Sequence, residues 1–269
     1  MGERLNYKTI VIADNAQVRT ITLNRPERRN AMTREMQKEL IAALEEAASS
    51  NCRVVVLTGV GDAFCSGLDL SELQAMRQKS AAEHRADAEL IARLFLALYE
   101  LPIPTIAAVN GPAIAGGAGL ACICDFSLAT PASRFGFNEV RIGFVPALVS
   151  AFLSLQLGDK RCRDLLLTGR LIDAEEACQL GLVNEIVSPE RLAERVQTLA
   201  DVLIANSPQS LSATKKLLTV QNEAWLDAAV AEALDANAIS RETWDFREGI
   251  TAFLGKRKPL WGTGSRTEG

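Results

Sequence analysis

Two glycine-bearing loops, each set directly after a short apolar run, constrain this chain more than any other feature. Residues 54–57 lead into Phe64-Cys65-Ser66-Gly67-Leu68-Asp69. Residues 105–109 lead into Asn110-Gly111-Pro112-Ala113-Ile114-Ala115-Gly116-Gly117-Ala118-Gly119. A short apolar run bounded by turn formers reads as a buried strand, and glycine beyond it lets a backbone N–H approach a ligand closely. Two such amides can hold one carbonyl oxygen. A lone carboxylate follows in Phe135-Gly136-Phe137-Asn138-Glu139-Val140. The pattern suggests an oxyanion hole with one acid beside it.

The rest of the chain supports a globular α/β protein. Its 269 residues suit one large unit with a small appendage, divided here into a core over 1–190 and a helical segment over 191–269. No apolar stretch runs long enough without a charge to span a bilayer. The net charge of −4 gives no general attraction to nucleic acid. The first residues show neither a secretory apolar segment nor a transit pattern, so a cytoplasmic location is expected. Six cysteines lack Cys-x-x-Cys spacing and lie among apolar neighbours, and His84 is the only histidine; a zinc site is not expected, and the thiols read as reduced.

Residues 9–13 and 18–23 read as a hairpin turning through Asp14, Asn15, Ala16 and Gln17. Thr33 is placed to cap a helix carrying Met36, Leu40, Leu44 and Ala47 at helical spacing. Strands at 54–57, 105–109 and 125–129, separated by helical segments, give an α/β order. The polar stretch 71–85 reads either as a lid or as a solvated helix. Beyond Pro189 the pattern is helical over 191–205, 208–221 and 225–242, where Trp225, Leu226, Val230 and Leu234 need a covering surface.

The ordered series Phe-Cys-x-Gly-x-Asp, Ala-Ala-Val-Asn-Gly-x-Ala-x-x-Gly-Gly and Phe-Gly-x-x-Glu-Val resembles the crotonase family of enoyl-CoA hydratases and isomerases. The likeness begins at Leu23-Asn24-Arg25-Pro26 and extends to Arg247-Glu248-Gly249-Ile250 and Phe253. It implies a spiral of ββα units with a carboxy-terminal helical segment, a role in fatty acid metabolism, and assembly into homotrimers, often paired as hexamers. It implies an acyl-CoA thioester as substrate and no separate cofactor, since coenzyme A is part of the substrate. Neither a nucleic acid nor a membrane partner is expected.

The same resemblance assigns the backbone amides of Leu68 and Gly116 to the oxyanion hole and Glu139 to acid/base work. It places Arg25 and Arg28 on the CoA phosphates, with the Lys256-Arg257-Lys258 run as a further candidate reaching a neighbouring subunit's ligand. Ala63, Ser66 and Leu70 line the nucleotide channel, Asp69 and Gly117 stand in the two loops, and Phe137 and Ile142 wall the acyl pocket. The departure is Gly119, where many hydratases carry a second glutamate that helps to activate water. A single carboxylate suffices to move a proton between C2 and C4, so Δ3-Δ2 isomerisation is one reading. Gly116 to Leu120 with Glu139 to Ala147 also resembles hydratases of methylglutaconyl-type CoA esters, which dispense with that glutamate, and hydration is the reading preferred.

Other classes have less support. A serine peptidase would need His84 to serve Ser66 without any Gly-x-Ser-x-Gly elbow. A dinucleotide site fails because Cys122 stands where the third glycine belongs. A non-catalytic RNA-binding or scaffolding homologue rests only on the Lys256-Arg257-Lys258 patch and the missing glutamate.

Overall fold

The computed structural model describes residues 7–76 and 78–262. It opens on a hairpin of β1 (Ile10–Asn15) and β2 (Val18–Leu23), tighter than expected because β1 continues to Asn15. There follow α1 (Arg34–Ala48), β3 (Val54–Gly59), α2 (Leu70–Met76), α3 (Ala81–Tyr99), β4 (Thr105–Val109), β5 (Ala113–Ile114), α4 (Gly116–Ile123), β6 (Phe126–Ala129) and β7 (Arg134–Gly136). The chain continues through α5 (Ala147–Leu157), α6 (Asp159–Thr168), β8 (Leu171–Asp173), α7 (Ala174–Leu180), β9 (Glu185–Ile186), α8 (Pro189–Ala205), α9 (Pro208–Ser240) and α10 (Trp244–Leu254).

Two sheets result. The larger has the order β1-β2-β3-β4-β6-β9, antiparallel only at β1–β2, and the smaller has the order β5-β7-β8. Strands buried on both faces read as unbroken apolar runs, which is why β3 and β4 stand out in the sequence. Their side chains alternate between two cores. Val55, Leu57, Ala107 and Val109 face a core shared with Leu40 and Leu44 of α1 and Leu94 and Leu98 of α3. Val54, Val56, Ile106 and Ala108 face Leu192, Val196, Ala200 and Leu203 of α8.

Thr33 caps α1 as expected, accepting from the Met36 amide. The stretch 71–85 is not one solvated helix but is divided between two: α2 buries Leu73 and Met76, and α3 starts at a capping box of Ser80 and Glu83 and buries His84 and Asp87. Helices over 208–221 and 225–242 prove to be one, the 33-residue α9, about 50 Å long. The triplet Asn222-Glu223-Ala224 holds neither glycine nor proline, so nothing in it stops a helix. α9 packs on α3 and α5, placing Leu226 and Val230 in the main core, while Trp225 stays half exposed. No helix among the described residues is long and apolar enough to cross a membrane.

Candidate active site

The two loops are held against each other by backbone pairing. Phe64 and Cys65 donate to the Pro112 carbonyl, and Ile114 N–H donates to Cys65 O at 2.9 Å. On its other side the first loop bridges Met32: Met32 N–H reaches Gly67 O at 2.7 Å and Asp69 N–H reaches Met32 O at 3.0 Å. In such a parallel bridge the intervening residue turns its own N–H away from the partner strand. The Leu68 amide thus has no backbone acceptor among the described residues.

Gly116 is the first residue of α4, so its N–H has no intrahelical acceptor, and Ala115 before it supplies no capping side chain. Ala115 sits at φ 52° and ψ −124°, a conformation that costs a residue with a Cβ about 1–3 kcal/mol. Its N–H is pinned to Gly136 O at 2.7 Å, which holds the strained turn in place. Gly117 packs so tightly that a Cβ there would run into the Cys65 carbonyl. Leu68, Ala115 and Gly116 line one cavity of about 790 Å³, and the α4 dipole adds positive potential at Gly116.

Glu139 lines the same cavity. It opens a 3-10 turn, Glu139–Ile142, that follows β7, and its carbonyl accepts from the Phe144 amide at 3.1 Å. The side chain is 8 % exposed and its Oε2 has no hydrogen-bond partner. Burial pushes its carboxyl up from 4.5 to about 7, although its own backbone N–H works in the opposite direction. Arg141, two residues on, is exposed, whereas Glu139 is buried.

Gly119 offers no vacant place for a second carboxylate. A Cβ there would stand 2.8 Å from Cζ of Phe95 and 2.9 Å from Cγ2 of Val149, so the space is packed with hydrocarbon from α3 and α5. Asp69 is engaged: it accepts from the Ser71 amide and hydroxyl at 2.8 and 2.6 Å and from Arg25 at 2.8 Å. Burial alone would raise its carboxyl, but these bonds outweigh it and hold the group below its ordinary value.

Of the residues predicted for ligand contact, Arg28, Ser66, Asp69, Leu70 and Ile142 line the cavity together with Arg257. Arg25, Ala63, Gly117 and Phe137 do not. Arg25 is committed to Asp69 and to the Ala31 carbonyl, Ala63 O accepts from Asn30, and Gly117 and Phe137 are buried in the packing behind the wall. Arg257 pairs with Glu248 at 2.6 Å within its own chain.

The sequence reading missed the far end of the cavity, where Arg34, Glu72, Asp87, Asn237 and Arg241 gather. Asp87 pairs with Arg34, with Lys79 at 2.5 Å and with Arg241 at 3.6 Å. Asp87 lies on the same face of α3 as Ile91 and Phe95, four and eight residues on; a charge in the buried stripe of that helix was the available signal.

The sequence and the fold match known proteins along nearly the whole chain. Residues 13–264 fit the family described as enoyl-CoA hydratase/isomerase. A putative enoyl-CoA hydratase of Thermus thermophilus is 45 % identical over 93 % of this chain and 99 % of its own length. A short-chain-enoyl-CoA hydratase of Clostridium acetobutylicum is 32 % identical over 94 % of this chain and 97 % of its own. The crystal structure of an enoyl-CoA hydratase/isomerase from Xanthobacter autotrophicus superposes with a TM-score of 0.86 at 30 % identity, covering 94 % and 98 % of the two chains. The chain therefore belongs to the enoyl-CoA hydratase/isomerase family. That family is enzymatic, and its fold is the crotonase spiral expected from the motifs.

Proposed function

We propose that the chain adds water across the double bond of a 2-enoyl-CoA, with Glu139 as the acid/base. The observation that carries this reading is a buried carboxyl whose Oε2 has no partner, sharing a cavity with two backbone N–H groups that have no protein acceptor. The thioester oxygen accepts from Leu68 N–H and Gly116 N–H. Glu139 takes a proton from water as its oxygen bonds to C3, and the electron pair of the double bond moves onto the thioester as an enolate. Two fixed donors stabilise that enolate more than the neutral carbonyl. The protonated Glu139 then delivers its proton to C2, so one water is consumed and the carboxylate is restored. A carboxyl with a pKa of about 7 suits both halves of this cycle near neutral pH.

Arg28 and Arg257 at the cavity mouth are the partners proposed for the CoA phosphates, and the assembly proposed is a homotrimer or hexamer. The hydrocarbon packed at Gly119 favours a second reading, isomerisation of a 3-enoyl-CoA, in which Glu139 removes a proton from C2 and returns it to C4 without handling water. Mass spectrometry of a 2-enoyl-CoA after incubation with the protein separates the two. A gain of one water, lost in Glu139→Gln, is the expected result. No gain, with a 3-enoyl-CoA converted to the conjugated thioester instead, would transfer the assignment to isomerisation. Inertness toward both would leave the non-catalytic reading.

A further inference from the structure

The run Arg247-Glu248-Gly249-Ile250 in α10 has no part in the chemistry proposed above, yet it lies against the turn that bears the acid/base. Glu139 opens that turn, Glu139–Ile142, and Gly143 closes it in the left-handed region at φ 68°. The backbone hydrogen bonds of the turn are local: Arg141 N–H to Asn138 O, Gly143 N–H to Val140 O and Phe144 N–H to Glu139 O. Among the described residues none of these bonds reaches α10. The fit is made by missing side chains instead. A Cβ on Gly249 would run into the Ile142 carbonyl and stand 2.9 Å from the Gly143 nitrogen, and a Cβ on Gly143 would run into the Asp245 carbonyl and stand 2.8 Å from the Phe246 nitrogen. Two glycines thus let helix and turn touch backbone to backbone.

Phe144, the next residue, extends the same contact. Its ring centre lies 5.5 Å from that of Phe246 on α10, and the Arg241 guanidinium carbon lies 5.3 Å from it. Phe246 and Ile250 in turn pack on Leu73 and Met76 of α2, the helix that leaves the Leu68-Asp69 loop. One helix therefore touches both halves of the site: the turn that bears the carboxyl, and the helix that follows the first amide donor. The carboxyl has little anchorage of its own. Its Oε2 has no partner, and the hydrogen bond it does receive comes from its own backbone N–H. Where it stands relative to the Leu68 and Gly116 amides is then set by where the backbone of the turn stands.

We propose that Gly249 is a positioning residue for the reaction: by letting α10 meet the turn backbone to backbone, it sets how far Glu139 reaches into the cavity. The proposal rests on the role given to Glu139 above. To bring a methyl at position 249 to the ~3.3 Å at which carbon meets a carbonyl oxygen, helix and turn would have to part by about 1 Å. A shift of that size in a reacting group costs on the order of 100-fold in rate even when the substrate still binds. The groups proposed to hold the thioester, the Leu68 and Gly116 amides and Arg28, lie on other elements, so the loss falls on kcat rather than on KM. Gly249 also borders the cavity; a direct clash with the ligand is the competing effect, and that would fall on KM.

The test compares Gly249→Ala with Ala252→Gly, which loosens the same helix at a buried position without adding an atom. Hydration or isomerisation, whichever the parent performs, gives kcat and KM, and titration calorimetry gives the affinity for butyryl-CoA, which binds without reacting. Gly249→Ala is expected to lose at least about 30-fold in kcat with KM and affinity within about threefold of the parent, and Ala252→Gly to keep all three within about threefold. A turn moved off α10 also admits water to the carboxyl. The Glu139 midpoint, read by infrared titration against Glu139→Gln, is therefore expected to fall by at least about one pH unit in Gly249→Ala and to hold in Ala252→Gly. Should Gly249→Ala fail to fold, Phe246→Leu, which withdraws the ring beside Phe144, is expected to cut kcat severalfold at unchanged KM. Losses carried by KM and affinity, or a kcat in both variants no lower than that of Ala252→Gly, would overturn the positioning role while leaving the acyl-CoA reading intact. A parent that converts neither a 2-enoyl-CoA nor a 3-enoyl-CoA would overturn that reading; the infrared midpoint then decides on its own whether Gly249 places Glu139, and an unmoved midpoint would overturn it.

Discussion

Glu139 is a carboxyl group kept where its charge is disfavoured, and that placement has a thermodynamic signature. In the unfolded chain a glutamate titrates near 4.5, whereas burial moves it to about 7 in the folded one. Below 4.5 both states hold the proton. Between 4.5 and 7 the unfolded chain releases it and the folded chain retains it, so the stability present in acid is lost progressively and is gone once the pH passes about 7. At about 1.4 kcal/mol per pH unit, the loss approaches ~3 kcal/mol by pH 8.5. Glu139→Gln keeps the shape and removes the charge. It is expected to exceed the parent in stability by up to ~3 kcal/mol at pH 8.5 and to lie within about half a kcal/mol of it at pH 4.5. Urea unfolding at the two pH values measures this. Parity at both would mean that the folded chain pairs or solvates the carboxylate.

Helix α4 aims its first N–H at the cavity because it is wedged between its neighbours. Its start is fixed by the strained Ala115 and its middle by contact of Gly119 with α3 and α5. That Gly119 lacks a carboxylate is plain in the sequence; that Phe95 and Val149 occupy the space is not, since nothing in an apolar helical stretch says which residue points where. Gly119→Ala should overpack this junction and cost about 1–3 kcal/mol, because Phe95 and Val149 are themselves part of the dense core. In a Phe95→Leu background the same change is expected to cost less, since the shorter side chain withdraws one of the two crowding atoms while Cγ2 of Val149 stays close to the new methyl. A thermodynamic cycle of the four proteins by urea unfolding checks it. Strict additivity would place the Gly119 contact elsewhere.

At the scale of the molecule, the parts legible in the sequence were those built from local pattern: β3 and β4 as apolar runs, α1 from its cap, and the loops that follow the strands. The cation cluster was not legible, because residues 34, 79, 87, 237 and 241 meet only after α9 has folded back along α3. For the same reason the segment from 191 onward is more than an appendage. Asn237, Arg241, Gly249, Phe253 and Arg257 form one wall of the cavity, and Phe246 and Ile250 of α10 pack on Leu73 and Met76 of α2. The same helices turn large apolar side chains outward: Leu217 is 60 % and Leu218 57 % exposed on α9, with Val220 and Trp225 beside them. A cluster of that kind on one helix is a surface that another copy can cover, whereas isolated apolar residues would call for no explanation. Sedimentation is therefore expected to give three or six chain masses, and Leu217→Glu combined with Leu218→Glu to lower that number, because burying two unpaired carboxylates in an apolar contact is costly. Since the wall residues named here all come from one chain, the dissociated variant is expected to keep its affinity for acyl-CoA thioesters within about threefold. A folded, dissociated variant that binds none of them would show that a neighbouring copy completes the cavity. A parent that sediments as a single chain would instead leave the apolar face of α9 to a different partner.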